Sequence, residues 1–166
     1  MNVVKLITVE NYYKPCEAAS LFAKYEDGQM KSLTESDYIN AVELLNVNQS
    51  APNEVKELFE TSRALYVYGY LYWTFFTVAL EQAMKSWELA ITIKLSELQE
   101  INKRIQLAKK IDLLKHHGII LEEDAKHFHM TRLVRNHMVH PSSQSQLGHN
   151  IGFLQVLAEQ INILYK

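Results

Sequence analysis

The sequence predicts an all-α protein, and three observations carry that expectation. Five glycines and three prolines are few for 166 residues, whereas sandwiches and barrels need a turn about every 8–12 residues. Apolar residues recur at spacings of three and four over long stretches, which places them on one face of a helix. Apolar residues make up 48% of the chain and charged residues 22%, a globular and not a disordered balance. A chain of this length buries about 70% of its unfolded surface, so folding requires neither disulfides nor a structural metal. The expected architecture is a four- to five-helix antiparallel bundle over residues 51–166, preceded by an N-terminal extension with short helices over residues 1–50.

Within the extension, Val3-Val4-Lys5-Leu6-Ile7-Thr8 reads as a short strand or an extended arm. Pro15 suits the first turn of a short helix to Lys24, ended by Asp27-Gly28. Thr34 or Ser36 caps another helix that ends near Leu45. Residues 46–52 form a loop.

Asn53 then caps a long helix, with Glu54 and Glu57 in the first turn, where the helix dipole favours them. Tyr66, Tyr68, Tyr70 and Tyr72 alternate like a strand. Their flanks are strong helix formers in phase with the run, so the helix is expected to continue through it. Gly69 suits close approach of another helix. The run from Ala64 to Leu80 carries no charge but holds four tyrosines and two threonines, and it falls short of the roughly 20 apolar residues of a membrane span. It reads as a helix buried on nearly all sides, in a core or a homodimer interface.

Ser96 to His117 is expected as a second long helix, with Leu98, Ile101, Ile105, Ala108, Ile111 and Leu114 as its stripe. Gly118 is its left-handed stop. Glu122-Glu123-Asp124 opens a third helix that Pro141 ends, and residues 142–148 are a polar loop. Ile151, Leu154, Leu157, Ala158, Ile161 and Leu164 define a terminal helix.

Net charge is −2, so no global basic field marks a nucleic-acid binder. The charge is uneven: residues 1–99 carry 8 basic against 13 acidic side chains, and residues 100–166 carry 9 against 6. All seven histidines lie between His116 and His149. An anionic ligand is therefore expected in the second part. Cys16 is the only cysteine, which excludes a disulfide framework or a thiolate zinc site within one chain. No His-x-x-x-His pair or carboxylate cluster points to a metal, no glycine-rich loop to a nucleotide cofactor, and no serine elbow to a hydrolase. The expectation is no metal and no cofactor. The first residues lack a signal-peptide pattern, which makes the cytosol the default compartment.

The third helix carries the candidate chemistry. At 100° per residue Arg135 falls within about 40° of Phe128, Thr131 and Val139, with Arg132 slightly to the other side. Two arginines thus sit on or beside a stripe that faces a core or a partner. They are either bundle-edge arginines that pair with glutamate or groups that await an anion. His140 precedes Pro141, which pushes it out of helical geometry. The imidazole then either caps a helix end, where a cation is favoured, or swings to the Arg135 side.

Arg135-Asn136-His137-Met138-Val139-His140 has the pattern R-N-x-x-x-H. It resembles the signature of the HEPN superfamily, helical domains whose motif is Arg, four to six residues, then His. The similarity extends to IDLLKHHGIILEEDAKHFHMTRLVRNHMVHP and to a preceding long helix with an acidic residue, here VALEQAMK with Glu81. It covers roughly residues 54–165. The position two after His140 is Ser142, where HEPN toxins paired with nucleotidyltransferase-type antitoxins have tyrosine.

The resemblance implies a metal-independent endoribonuclease whose motifs from two protomers meet across a homodimer interface, in a defence, toxin–antitoxin or RNA-processing setting. RNA would be the partner, with an antitoxin or regulatory protein as a further one. It assigns Arg135 to the charge developing at phosphorus, His140 to proton transfer and Asn136 to orienting either. Arg132, His137 and Glu81 are supporting candidates for substrate binding, although Glu81 also suits ordinary pairing with Lys85 on its own helix. Arginine matches phosphate oxygens bidentately and histidine titrates near neutral pH, so both residue types suit the reaction. Family members also lose catalysis, which leaves a non-catalytic module that binds RNA, a nucleotide or a partner protein, or a purely structural dimer.

Overall fold

A computed structural model describes residues 5–98, 105–139 and 150–166. The described chain is mostly helical, with six α-helices and one small hairpin. A 3-10 turn at Glu17–Leu21 leads into β1 (Ala23–Glu26) and β2 (Gln29–Ser32), followed by α1 (Glu35–Glu43), α2 (Asn53–Tyr68) and α3 (Phe75–Ser96). Then come α4 (Leu107–His116), α5 (Glu122–Val139) and α6 (Ile151–Leu164). Helix α3 is central and packs against α2, α4, α5 and α6.

The extension departs from its expected helix. Asp27-Gly28 does not end a helix; it turns a hairpin in which Glu26 pairs with Gln29. Asp27 and Gly28 have φ of 53° and 79°. Two consecutive positive φ angles give the twist that a two-residue hairpin needs, and Asp-Gly supplies them at low cost. Thr34 does cap α1: the Asp37 carboxylate accepts from its N–H and its hydroxyl at 2.8 and 2.7 Å. Lys24 reaches the same carboxylate at 2.7 Å. Together they hold the Asp37 carboxyl down at about 2, the Lys24 ammonium contributing most. The cap should thus persist through mild acid and be lost only as pH falls from the ordinary carboxylate range through about 2, read as faster amide exchange in α1.

The long helix expected from Asn53 breaks at residues 69–74, and α2 and α3 fold onto each other. The tyrosine run holds too many large rings for one helix face. The break lets Tyr66, Tyr70 and Phe76 converge on Tyr38, with centroids 6.3, 5.5 and 5.7 Å from it. The Tyr70 carbonyl accepts from Cys16 N–H at 3.1 Å, and Trp73 stacks on Phe22 at 5.1 Å. Two buried hydroxyls tie the pair of helices together, Ser62 to the Ala79 carbonyl at 2.7 Å and Ser86 to the Val55 carbonyl at 2.8 Å. A Cβ on Gly69 would lie 2.5 Å from the buried Phe76 ring, so the close approach is to a side chain of the next helix. Gly69→Ala should destabilise the fold by about 1–3 kcal/mol through overpacking, seen as a lower denaturant midpoint.

The first 50 residues thus cover the aromatic run within the same chain. Cys16 and Ala19 pack against Tyr70 and Trp73, while Tyr38, Val42 and Leu45 join the main core. Part of the apolar surface that pointed to a dimer at this run is thereby covered, while Tyr68 stays 55% exposed. No described helix is long and apolar enough to cross a membrane.

The second long helix is also shorter than expected. Ser96 ends α3, and α4 begins only at Leu107. Gly118 stops α4 with φ 68°, and Ile119 N–H returns to the Leu114 carbonyl at 2.9 Å. In α6, Leu154, Leu157, Ala158, Ile161 and Leu164 are buried as the stripe requires. The expectations for Val3, Val4, Ile101, His140, Pro141 and the loop 142–148 fall outside the described residues.

Candidate functional site

Arg135 is positioned by the packing of α5 on α3. Phe128 of α5 is fully buried and lies against buried Trp87 of α3, with ring centroids 5.8 Å apart. Thr131, one turn on, is buried and accepts from Gln160 of α6 at 2.8 Å. Arg135 follows on the same side of α5, where the stripe meets solvent. Next to Trp87 on α3 stands Glu88. Arg135 Nε donates to Glu88 Oε1 and Nη2 to Oε2, the second at 3.3 Å. Both side chains retain about 30% exposure. A two-pronged pair of this kind fixes the plane of the guanidinium as well as its position.

The pair borders a cleft of about 340 Å³ between α3, α4 and α5. Arg132, Arg135 and Asn136 line it from α5, Lys110 and the start of α4 from another side, and Glu88 from α3. Asn136 Oδ1 accepts from Arg135 Nη1 at 3.5 Å, a weak contact. Arg132 is half-buried, and its Nε–H meets no acceptor among the described residues. Lys110 Nζ donates to the Thr92 hydroxyl at 2.8 Å. Among the described residues three cations therefore face one carboxylate, an arrangement that attracts an anion.

Of the residues expected from sequence, Arg135, Asn136 and Arg132 come together in this cleft. His137 is exposed on the last turn of α5 and does not line it. Glu81 is exposed on α3, two turns or about 10 Å before Glu88 along the axis, and does not line it either. Among the described residues it makes no ion pair with Lys85. His140 lies outside the described residues. Helix α5 is described to Val139, and its expected end at Pro141 falls outside the described residues.

Neither Glu88 nor Lys110 is singled out by the sequence. Glu88 follows Glu81 by seven residues and so shares its helix face; spacing alone does not say which of the two stands opposite α5. Lys110 enters the cleft only because α4 starts after residue 104, which the apolar periodicity running on from Ser96 conceals. Away from the cleft, His129 Nε2 lies 3.2 Å from Asp112 Oδ1, tying α5 to α4. No family model, curated protein or solved structure matches the chain.

Proposed function

We propose that the chain is a metal-independent endoribonuclease of HEPN type, with helices α2, α3, α5 and α6 as its bundle and the α3–α4–α5 cleft as its site. The observation that carries this is Arg135, half-buried in a cleft with more cations than carboxylates and aimed by Glu88. An arginine so placed matches two phosphate oxygens and stabilises the charge added at phosphorus. The 2′-hydroxyl of RNA attacks the adjacent phosphorus, its proton leaves to a base, and the 5′-oxygen departs with a proton. His140, five residues on in the same motif, is the group assigned to proton transfer. Asn136 orients the phosphate or the imidazole, and Arg132 holds substrate.

The two motifs of a homodimer would complete one site. Leu133, 52% exposed on α5 next to Arg132, supplies apolar surface for that contact. Light scattering at tens of micromolar should give twice the chain mass, and Leu133→Glu should lower both mass and cleavage. A monomer that still cleaves RNA would remove the composite site.

The deciding experiment incubates purified protein with structured and unstructured RNAs in EDTA. Cleavage should persist, spare DNA and leave a 2′,3′-cyclic phosphate. A second reading, a non-catalytic module that binds RNA or a nucleotide, has its own support: Glu88 already neutralises part of the Arg135 charge. Binding without cleavage, abolished by Arg135→Ala, would favour it. The defence, toxin–antitoxin or RNA-processing setting and an antitoxin partner belong to the resemblance alone.

A further inference from the structure

We propose that Lys110, Arg132 and the first turn of α4 form a phosphate subsite beside Arg135, which holds an RNA backbone phosphate flanking the one that Arg135 takes. The subsite rests on the RNA assignment above. Three features converge on it. Arg132 Nε–H is buried without an acceptor among the described residues. That buried N–H is not itself open to a ligand, but Arg132 lines the cleft and makes no ion pair among the described residues, so its charge is uncompensated there. Lys110 is held in place through one of its three donors, by the Thr92 hydroxyl at 2.8 Å, and Thr92 in turn donates to the Glu88 carbonyl at 2.7 Å. Two ammonium donors remain for a ligand.

The third feature is the start of α4. Gln106 supplies no side-chain cap, and Gln106, Leu107 and Ala108 line the same cleft. The N–H groups of a first turn have no intrahelical partner and carry the positive end of the helix dipole. Backbone donors and a lysine from α4, with an arginine from α5, are the set that recognises phosphate. Among the described residues Glu88 is the only carboxylate lining the cleft, and it is engaged by Arg135. At about 340 Å³ the cleft exceeds a single phosphate, and it falls at the lower end of ligand-site volumes, about 300–1,000 Å³.

The test follows the Leu107 and Ala108 amides by heteronuclear NMR at low salt. Inorganic phosphate and a short single-stranded RNA are titrated separately and then against each other. Both should shift these amides saturably, and RNA should displace phosphate. Lys110→Ala and Arg132→Gln should each weaken both titrations by about tenfold, the loss of one charged hydrogen bond. Lys126→Ala, an exposed cation paired with Glu123 outside the cleft, should change neither. Half-exposed Lys110 keeps the test decisive even if Arg132→Gln fails to fold. Unmoved amides, or variants that bind like wild type, would overturn the subsite. Phosphate binding that RNA does not displace would overturn the assignment to RNA backbone. RNA cleavage with unchanged titrations in both variants would sink the subsite and leave the ribonuclease standing.

Discussion

His140→Ala should lower RNA cleavage by about 10²–10⁴-fold, the range for loss of a positioned acid or base. Arg135→Ala should lower it by about 10²–10³-fold, as removal of one electrostatic donor does elsewhere. The two variants are expected to differ in more than size. Without His140 the phosphate still meets Arg135, so KM should stay near wild type while kcat falls. Without Arg135 both should change, since the guanidinium contacts substrate and transition state alike. Arg135→Lys keeps the charge but cannot make the two-pronged contact with Glu88, and should recover little. Arg135→Ala also leaves Glu88 without its partner in a half-buried place, so the melting temperature of each variant is measured alongside activity. Full cleavage by His140→Ala would mean another site or a contaminating nuclease.

The helical class was legible because it depends on composition and local periodicity, which neighbours in space alter little. The terminal helix is the clearest case: the residues of its stripe are those that α3 and its neighbours bury. What stayed hidden was tertiary in origin. The break at residues 69–74 follows from the meeting of Tyr66, Tyr70 and Phe76 with Tyr38, some 30 residues earlier in the chain. Helix propensity cannot register that convergence, and it overrides the in-phase flanks. Asp27-Gly28 suits a two-residue hairpin turn as well as a helix end, and only the pairing of the flanking strands decides between them. At the site, the angular position of Arg135 beside Phe128 and Thr131 follows from 3.6-residue geometry. Which acid faces it depends on the register of α5 against α3, where Phe128 rests against Trp87.

That contact gives the largest expected effect on stability. Trp87→Ala should cost about 3–5 kcal/mol, the range for deleting a large aromatic from a packed core. Trp87 has no exposed surface, and Phe128, against which it rests, has none either. The cavity would open at the junction of α3 and α5, since the central helix has little freedom to collapse onto it. Trp87→Phe should cost less. Trp87 Nε1–H is buried without an acceptor among the described residues, and phenylalanine removes that unsatisfied donor while keeping a ring. The pair of variants also separates packing from charge at the site. If the Trp87–Phe128 contact sets the register of α5, Trp87→Ala should loosen the Arg135–Glu88 pair one residue away. Cleavage would then fall even below the melting transition, whereas Trp87→Phe would retain it. Equal losses of stability in the two variants would show that the indole volume, and not the orphaned N–H, decides the energetics. Unchanged cleavage by folded Trp87→Ala would show that Arg135 is positioned by Glu88 alone.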